Sequence, residues 1–326
     1  MRHDGMSKLS GEPAGKAVIV AGPTASGKSG IALALAEQFA GTIINADSMQ
    51  VYRELRILTA RPDAAAEARA PHRLYGVLAA AEACSAARWR DMAIGAIEAA
   101  WAEDRLPILV GGTGLYLQAL LHGLAPVPDV PAPVRERVRA LHRRLGPAGF
   151  HQALAARDPV MAARLGPSDT QRLVRAFEVL EATGTSLAEW QARPAEGPAF
   201  SAATATILLE PPRAELYARC DQRFRRMLAD GALDEVRALD DLGLDPALPA
   251  MKALGMLELR RHLAGAITLE AATAAAQQST RRYAKRQVTW FRHRSPGETI
   301  LRAQFSESLL PENFAFIRQF LLTAPA

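Results

Sequence analysis

One stretch, Gly22-Pro23-Thr24-Ala25-Ser26-Gly27-Lys28-Ser29, constrains this chain more than any other. It fits G-x-x-x-x-G-K-[ST]. It stands between an apolar run, Ala17-Val18-Ile19-Val20-Ala21, and an Ala-rich stretch with Ile31, Leu33, Leu35, Ala36 and Phe39 that stops at Gly41. A continuous apolar run of this length reads as a strand buried on both faces of a parallel sheet, and the stretch after the loop reads as a helix. In that order, the loop's backbone N–H groups wrap phosphate oxygens at the positive end of the helix. Lys28 supplies a point charge, and the Ser29 hydroxyl can hold Mg²⁺. Read alone, the loop points to a nucleotide such as ATP or GTP, and the bland alternative is a chance turn before a helix.

The rest of the chain extends the same plan. Thr42-Ile43-Ile44-Asn45-Ala46 is a second strand candidate ending at Asp47. Trp89, Met92, Ile97 and Trp101 recur at helical steps between Ser85 and Asp104, and Leu106-Pro107-Ile108-Leu109-Val110 forms a third strand. That strand opens on Gly111-Gly112-Thr113-Gly114 and a helix from Leu115. Alternating strands and helices predict a doubly wound α/β fold with a parallel sheet. Pro126, Pro128, Pro131 and Pro133 then break the pattern. No strand follows until Thr204-Ala205-Thr206-Ile207-Leu208-Leu209, which is preceded by Pro194, Gly197 and Pro198. The expected organisation is a P-loop α/β core of residues 17–125 and 200–295, interrupted by an all-helical insertion domain at 126–199. Helices are expected at 214–229, 233–242, 248–263 and 269–291, giving a helical C-terminal region. Residues 1–16 read as a loose leader and 296–326 as a tail without signal.

Composition narrows the function classes. With 49% apolar and 22% charged residues among 326, wholesale disorder is excluded. No apolar run is long enough to cross a bilayer, and residues 1–16 lack the apolar centre of a signal peptide, so a cytoplasmic protein without a membrane partner is expected. Cys84 and Cys220 fit neither a zinc nor a redox spacing and read as buried thiols. No apolar zipper is evident, which favours a monomer.

The net charge of +5 matters through its placement. Arg281, Arg282, Lys285 and Arg286 precede Arg292, His293 and Arg294. Like charges at i,i+4, such as Arg281 with Lys285, repel unless an anion compensates. With Tyr283 and Trp290 nearby, this cluster suits a nucleic-acid backbone, and a solvated face is the alternative. Arg172 and Arg175 add charge in the insertion, and Arg219, Arg223, Arg225 and Arg226 share one predicted helix, where Arg223 is a candidate to face pyrophosphate.

Asp47 lies at the carboxyl edge of the sheet, where ligands bind in open α/β folds. A carboxylate there can reach Mg²⁺ through water, take a proton from an acceptor, or simply cap the next helix. The Gly111–Gly114 turn permits close backbone approach to a ligand, although an ordinary strand-to-helix turn looks similar.

Six stretches, taken in order, resemble the tRNA dimethylallyltransferases, also called tRNA isopentenyltransferases, from about Ala17 to Arg292. They are the phosphate loop; Asp47-Ser48-Met49-Gln50-Val51-Tyr52; Pro71-His72; Gly111-Gly112-Thr113-Gly114-Leu115-Tyr116; Asp169-Thr170-Gln171-Arg172-Leu173-Val174-Arg175-Ala176; and Tyr283-Ala284-Lys285-Arg286-Gln287-Val288-Thr289-Trp290-Phe291-Arg292. The resemblance implies transfer of a dimethylallyl group from dimethylallyl diphosphate to N6 of the adenine just 3′ of the anticodon, in tRNAs reading codons that begin with U. It implies a base flipped out of the anticodon stem-loop and Mg²⁺ at Ser29. Asp47 would then be the general base, and Thr113 and Arg223 would bind the departing diphosphate beside residues 22–29. Contacts with tRNA are implied at Asp47, Ser48, Met49, Gln50, Thr113, Arg135, Gln171, Arg172, Leu173, Val174, Arg175, Lys252, Arg281, Lys285 and Arg286.

The chain departs from the family pattern twice: Leu58 stands where a glycine is usual, and Met256 follows Gly255 where tyrosine is common. Two other readings share the loop. A nucleotide or small-molecule kinase would turn over NTP, and a non-catalytic RNA-binding switch would tolerate loss of Asp47.

Overall fold

The computed structural model describes residues 15–194, 201–294 and 299–323. Residues 1–14 of the expected leader, the breakers Gly197 and Pro198, and residues 295–298 and 324–326 lie outside them. The first half runs β1 (Lys16–Ala21), α1 (Lys28–Gln38), β2 (Gly41–Asn45), α2 (Ala64–Arg69), β3 (His72–Arg73), α3 (Ala86–Ala102), β4 (Leu106–Gly111) and α4 (Gly114–His122). A purely helical stretch follows: α5 (Ala132–Arg157), α6 (Pro159–Arg164), α7 (Thr170–Thr183) and α8 (Leu187–Ala192). The chain then returns through β5 (Ala203–Leu209), α9 (Arg213–Ala229), α10 (Ala232–Asp240), α11 (Met256–Leu263), α12 (Leu269–Arg294), β6 (Thr299–Leu301) and α13 (Leu310–Leu322). Contacts divide it into two compact units, residues 122–199 and the remainder.

The six strands form one sheet in the order β3-β2-β4-β1-β5-β6, every pair parallel. β1 lies inside it, with Val18 opposite Ile108 of β4 and Ala205 of β5. Successive side chains point to opposite faces of a strand, so Val18 and Val20 join Ile31, Leu35 and Ile317 on one face, while Ala17, Ile19 and Ala21 join Trp89, Ile97 and Phe291 on the other. Burial on both faces explains why these strands read as continuous apolar runs rather than alternating ones. The N-cap Ser85 starts α3 by accepting from Arg88 N–H, and Trp89, Ala93, Ile97 and Ala100 bury one stripe of it. The carboxyl ends of β1, β2 and β4 thereby deliver the phosphate loop, Asp47 and the Gly111–Gly114 turn to one edge of the sheet.

Three expectations change. The helix expected over 248–263 is a single 3-10 turn, Ala250–Lys252, followed by α11. Gly255 separates them at φ 88°, a left-handed conformation, with Phe224 so close that a Cβ there would lie 2.7 Å from its ring. Residues 299–323 are no tail: β6 pairs with β5, Glu210 N–H donates to Leu301 O at 2.8 Å, and α13 packs on α1, with Phe314 meeting Phe39 edge-on at 5.9 Å. Cys220 is buried, but Cys84 is only half-buried.

The helical unit has its own core. Phe150, Leu154, Met161, Leu173, Phe177 and Leu180 are buried together, and the Phe150 and Phe177 rings lie 5.0 Å apart. α5 is broken at Gly146-Pro147, where Gly146 takes φ 66°. Asp158 caps α6 through Met161 N–H and accepts from the Ser186 hydroxyl at 2.7 Å, so one carboxylate joins the starts of α6 and α8.

Candidate active site

The phosphate loop is held by its own unit. Ala25 sits at φ 66°, a conformation that costs a non-glycine residue energy and persists only when surroundings enforce it. Several contacts enforce it. Ser26 N–H donates to Pro23 O, Gln304 Nε2 donates to Ala25 O at 3.3 Å, and Thr24 N–H donates to Gln287 Oε1 at 2.7 Å. Arg223 Nη2 donates to the Thr24 hydroxyl, and Lys28 Nζ curls back to Pro23 O at 2.6 Å. Burial pushes the Lys28 ammonium down to about 8; Asp47 opposes the shift and Arg223 adds to it. Burial likewise lowers the Arg223 guanidinium, against the pull of Cys220 and Asp47.

These groups open on a cavity of about 430 Å³. From the loop it is lined by Thr24, Ala25, Gly27, Lys28 and Ser29, from the segment after β2 by Asp47 and Gln50, and from α9 by Arg219, Arg223 and Arg226. The three arginines fall at i, i+4 and i+7, one face of a helix. A lysine, an arginine and the start of α1 converge here, a setting that stabilises negative charge on phosphate. Among the expected site residues, Gly22, Pro23, Ser26, Ser48, Met49 and Thr113 are not part of this lining.

Asp47 is fixed from both sides. Its N–H donates to Asn45 Oδ1 at 2.8 Å, and Asn45 Nδ2 donates to the carbonyls of Asp47 and Leu74. Its own Oδ1 accepts from Met49 N–H at 2.9 Å, but residues 48–51 form a turn and no helix begins at Ser48, so the expected helix cap is instead a bond that closes a turn beside the cavity. Among the described residues no donor meets Oδ2. The Thr113 hydroxyl accepts from Ser48 N–H at 2.9 Å and lies 3.3 Å from the Ser48 hydroxyl, which ties the Gly111–Gly114 turn to the segment after Asp47. Tyr283 reaches the same turn: burial, reinforced by Asp47, raises its phenol, and a hydrogen bond with Thr113 works the other way. The glycines of that turn make room for protein rather than ligand. A Cβ would lie 2.0 Å from Ala46 O at Gly111, 2.1 Å from Gln287 Nε2 at Gly112 and 2.2 Å from the Trp290 ring at Gly114.

The residues expected at tRNA fall into different settings. In the helical unit Arg135, Gln171 and Arg172 are exposed, and Arg175 is half-buried; burial lowers its guanidinium, Glu178 pulls the other way and Arg135 adds to the drop. Leu173 is fully buried and Val174 packs on the same core, so these two side chains hold α7 in place instead of facing a ligand. In the α/β unit Lys252, Lys285 and Arg286 are exposed, and Arg286 lies 5.5 Å from the Tyr283 ring centre. Arg281 is paired with Asp221 at 2.5 Å, so an internal carboxylate, not an external anion, offsets its repulsion from Lys285. Met256 is buried in the core, on the far side of Gly255 from exposed Lys252.

Sequence reasoning missed Gln287, Gln304 and the lining roles of Arg219 and Arg226. Gln287 had a readable signal, being one of three polar residues, with Gln277 and Thr280, on a buried stripe that also carries Ala276, Ala284 and Phe291 on α12. Gln304 had none, lying in a stretch without periodicity.

A family model described as IPP transferase matches residues 50–294. A tRNA dimethylallyltransferase of Paramagnetospirillum magneticum is 55% identical over 309 residues, spanning 95% of this chain and 98% of that one. The chain belongs to this family. A second member, from Rhodospirillum centenum, is 57% identical over 292 residues, 87% of this chain and 93% of that one. The full-length tRNA isopentenylpyrophosphate transferase of Bacillus halodurans shares the fold with a TM-score of 0.67 at 32% identity, covering 94% of this chain and 96% of that structure. A eukaryotic dimethylallyltransferase, crystallised acting on tRNA, gives a TM-score of 0.70 at 28% identity over 85% of this chain and 70% of its own. The parallel sheet and α/β architecture are thus those of the family's solved members.

Proposed function

We propose that the protein transfers the dimethylallyl group of dimethylallyl diphosphate to N6 of the adenine just 3′ of the anticodon, in tRNAs that read codons beginning with U, and releases diphosphate. The observation that carries this reading is the single cavity that gathers Lys28, Ser29 and Arg223 beside Asp47. Cationic donors stand where leaving-group charge would develop, and a carboxylate stands within the same space to take a proton. As the allylic C–O bond breaks, its electron pair passes to the diphosphate oxygen. The N6–C bond forms, and the N6 proton goes to Asp47 Oδ2. Lys28, Arg223 and the loop N–H groups stabilise the departing diphosphate, with Thr113 fixing the segment that carries Asp47.

Mg²⁺ fits the donor set. The Ser29 hydroxyl and Asp47 share the cavity, and Mg²⁺ is commonly held by one or two protein oxygens together with substrate phosphates and water. When bound there it would supply positive charge to the leaving diphosphate. Exposed Arg135, Gln171, Arg172, Lys252, Lys285 and Arg286 are the proposed tRNA contacts. No described helix is long and apolar enough to cross a membrane. We place the enzyme in the cytoplasm as a monomer.

The test is direct: incubate the protein with tRNA, Mg²⁺ and dimethylallyl diphosphate, digest, and weigh the nucleosides. A dimethylallyl mass gain on adenosine is the expected result. No gain, together with ATP-dependent phosphorylation of a small acceptor, overturns the reading in favour of a kinase.

A further inference from the structure

Gln287 makes a connection that none of the proposed chemical roles requires. It is buried on α12, and its amide is used at both ends: Oε1 accepts from Thr24 N–H at 2.7 Å and Nε2 donates to Gly112 O at 2.8 Å. One end therefore holds the phosphate loop, and the other holds the residue before Thr113. Gly112 can carry no side chain, because a Cβ would lie 2.1 Å from that Nε2 and 3.0 Å from Gly22 O. Thr113 in turn is bonded to Ser48, next to Asp47. A single side chain thus stands in the chain of contacts between the loop that would hold the leaving group and the segment that would activate the acceptor.

We propose that Gln287 is a positioning residue that sets the spacing between the donor-binding loop and the acceptor-activating segment, so that carbon and N6 meet in line. The inference rests on the functional reading above. Gln287 is buried and is not among the residues that line the cavity, so its effect belongs in kcat rather than in the binding of either partner alone. Misplacement of reacting groups by about 1 Å costs on the order of 100-fold in rate.

Two substitutions test this. Gln287→Ala removes both bonds. Gln287→Glu keeps the acceptor for Thr24 but, when ionised, sets a carboxylate against the Gly112 carbonyl; protonated, the same acid donates to Gly112 and accepts from Thr24, as the amide does. The measurements are kcat for dimethylallyl transfer to an anticodon stem-loop RNA, and the affinities for inorganic pyrophosphate and for that RNA. Expected are a kcat loss of about 100-fold in Gln287→Ala with both affinities within about threefold of wild type, and a Gln287→Glu to wild-type kcat ratio that climbs about tenfold as pH falls. Lys28, Asp47, Arg223 and Tyr283 are charged and titratable groups of the site and are common to both enzymes, so dividing by the wild-type rate isolates the substituted residue.

Wild-type kcat in Gln287→Ala overturns the proposal. So does a kcat loss matched by equal loss of both affinities, or a ratio flat with pH. If Gln287→Ala fails to fold, the pH dependence of the Gln287→Glu ratio decides alone. A wild-type enzyme that transfers nothing fells the functional reading and this inference with it, whereas transfer that is equally fast in the variants fells this inference only.

Discussion

Lys28 carries a pH dependence that bears directly on the diphosphate. Its ammonium is pushed down to about 8, so in the free enzyme it is charged below that pH and neutral above it. A diphosphate needs the charged form. The contribution of Lys28 to pyrophosphate affinity should therefore be full below pH 8 and fall as pH rises through it, read by calorimetry on either side. Lys28→Arg, whose guanidinium stays charged throughout, should flatten that fall. Asp47 belongs to the same scale. Asp47→Asn keeps an oxygen able to accept from Met49 N–H but removes the base, and transfer should slow by about 100- to 10,000-fold. Stem-loop RNA affinity should stay within about threefold of wild type by filter binding, since one carbonyl still caps the turn. An unchanged rate would assign Asp47 to the cap alone.

At the level of elements, α7 separates holding from contact. Leu173 lies at 0% exposure in the helical core, whereas Arg172 beside it is exposed. Leu173→Ala should lower stability by about 2–5 kcal/mol in denaturant unfolding. Arg172→Ala should leave stability within about 0.5 kcal/mol but weaken RNA binding and reduce its salt slope by about 1. The same division explains what was legible beforehand. β1, β2, β4 and β5 are buried on both faces and announce themselves as apolar runs, and Ser85 and the Trp89–Ile97 stripe announce α3. The phosphate loop and Asp47 follow from where those runs end. β6 escapes notice because three residues at a sheet edge are too few to show a period. Gln287 is passed over and Arg281 misread for a common reason: a polar residue on a helix looks the same whether it faces solvent, a ligand, or a partner such as Asp221 brought in from elsewhere in the chain.

Across the whole molecule, the closing segment is structural. Leu301 and Ile317 are buried against the sheet, and Lys16 Nζ donates to the carbonyls of Phe320 and Leu321 at the end of α13. Burying two such side chains contributes roughly 3–6 kcal/mol, a large part of the 5–15 kcal/mol by which domains of this kind are stable. A chain ending before Thr299 should therefore melt well below the full-length protein in calorimetry, and a melting point equal to that of the full-length chain would refute this account.

The place of β1 in the sheet also sets an order of assembly. One neighbour, β4, is translated about ninety residues after it, but the other, β5, emerges only after the whole of 122–199 has been made. While the ribosome works through that stretch, β1 presents a bare edge of N–H and C=O groups, the kind that captures stray strands. The helical unit, whose core is complete within its own residues, can be finished during this wait. A synthesis rate that stalls between residues 122 and 203 would lengthen the time for which that edge stays unpaired.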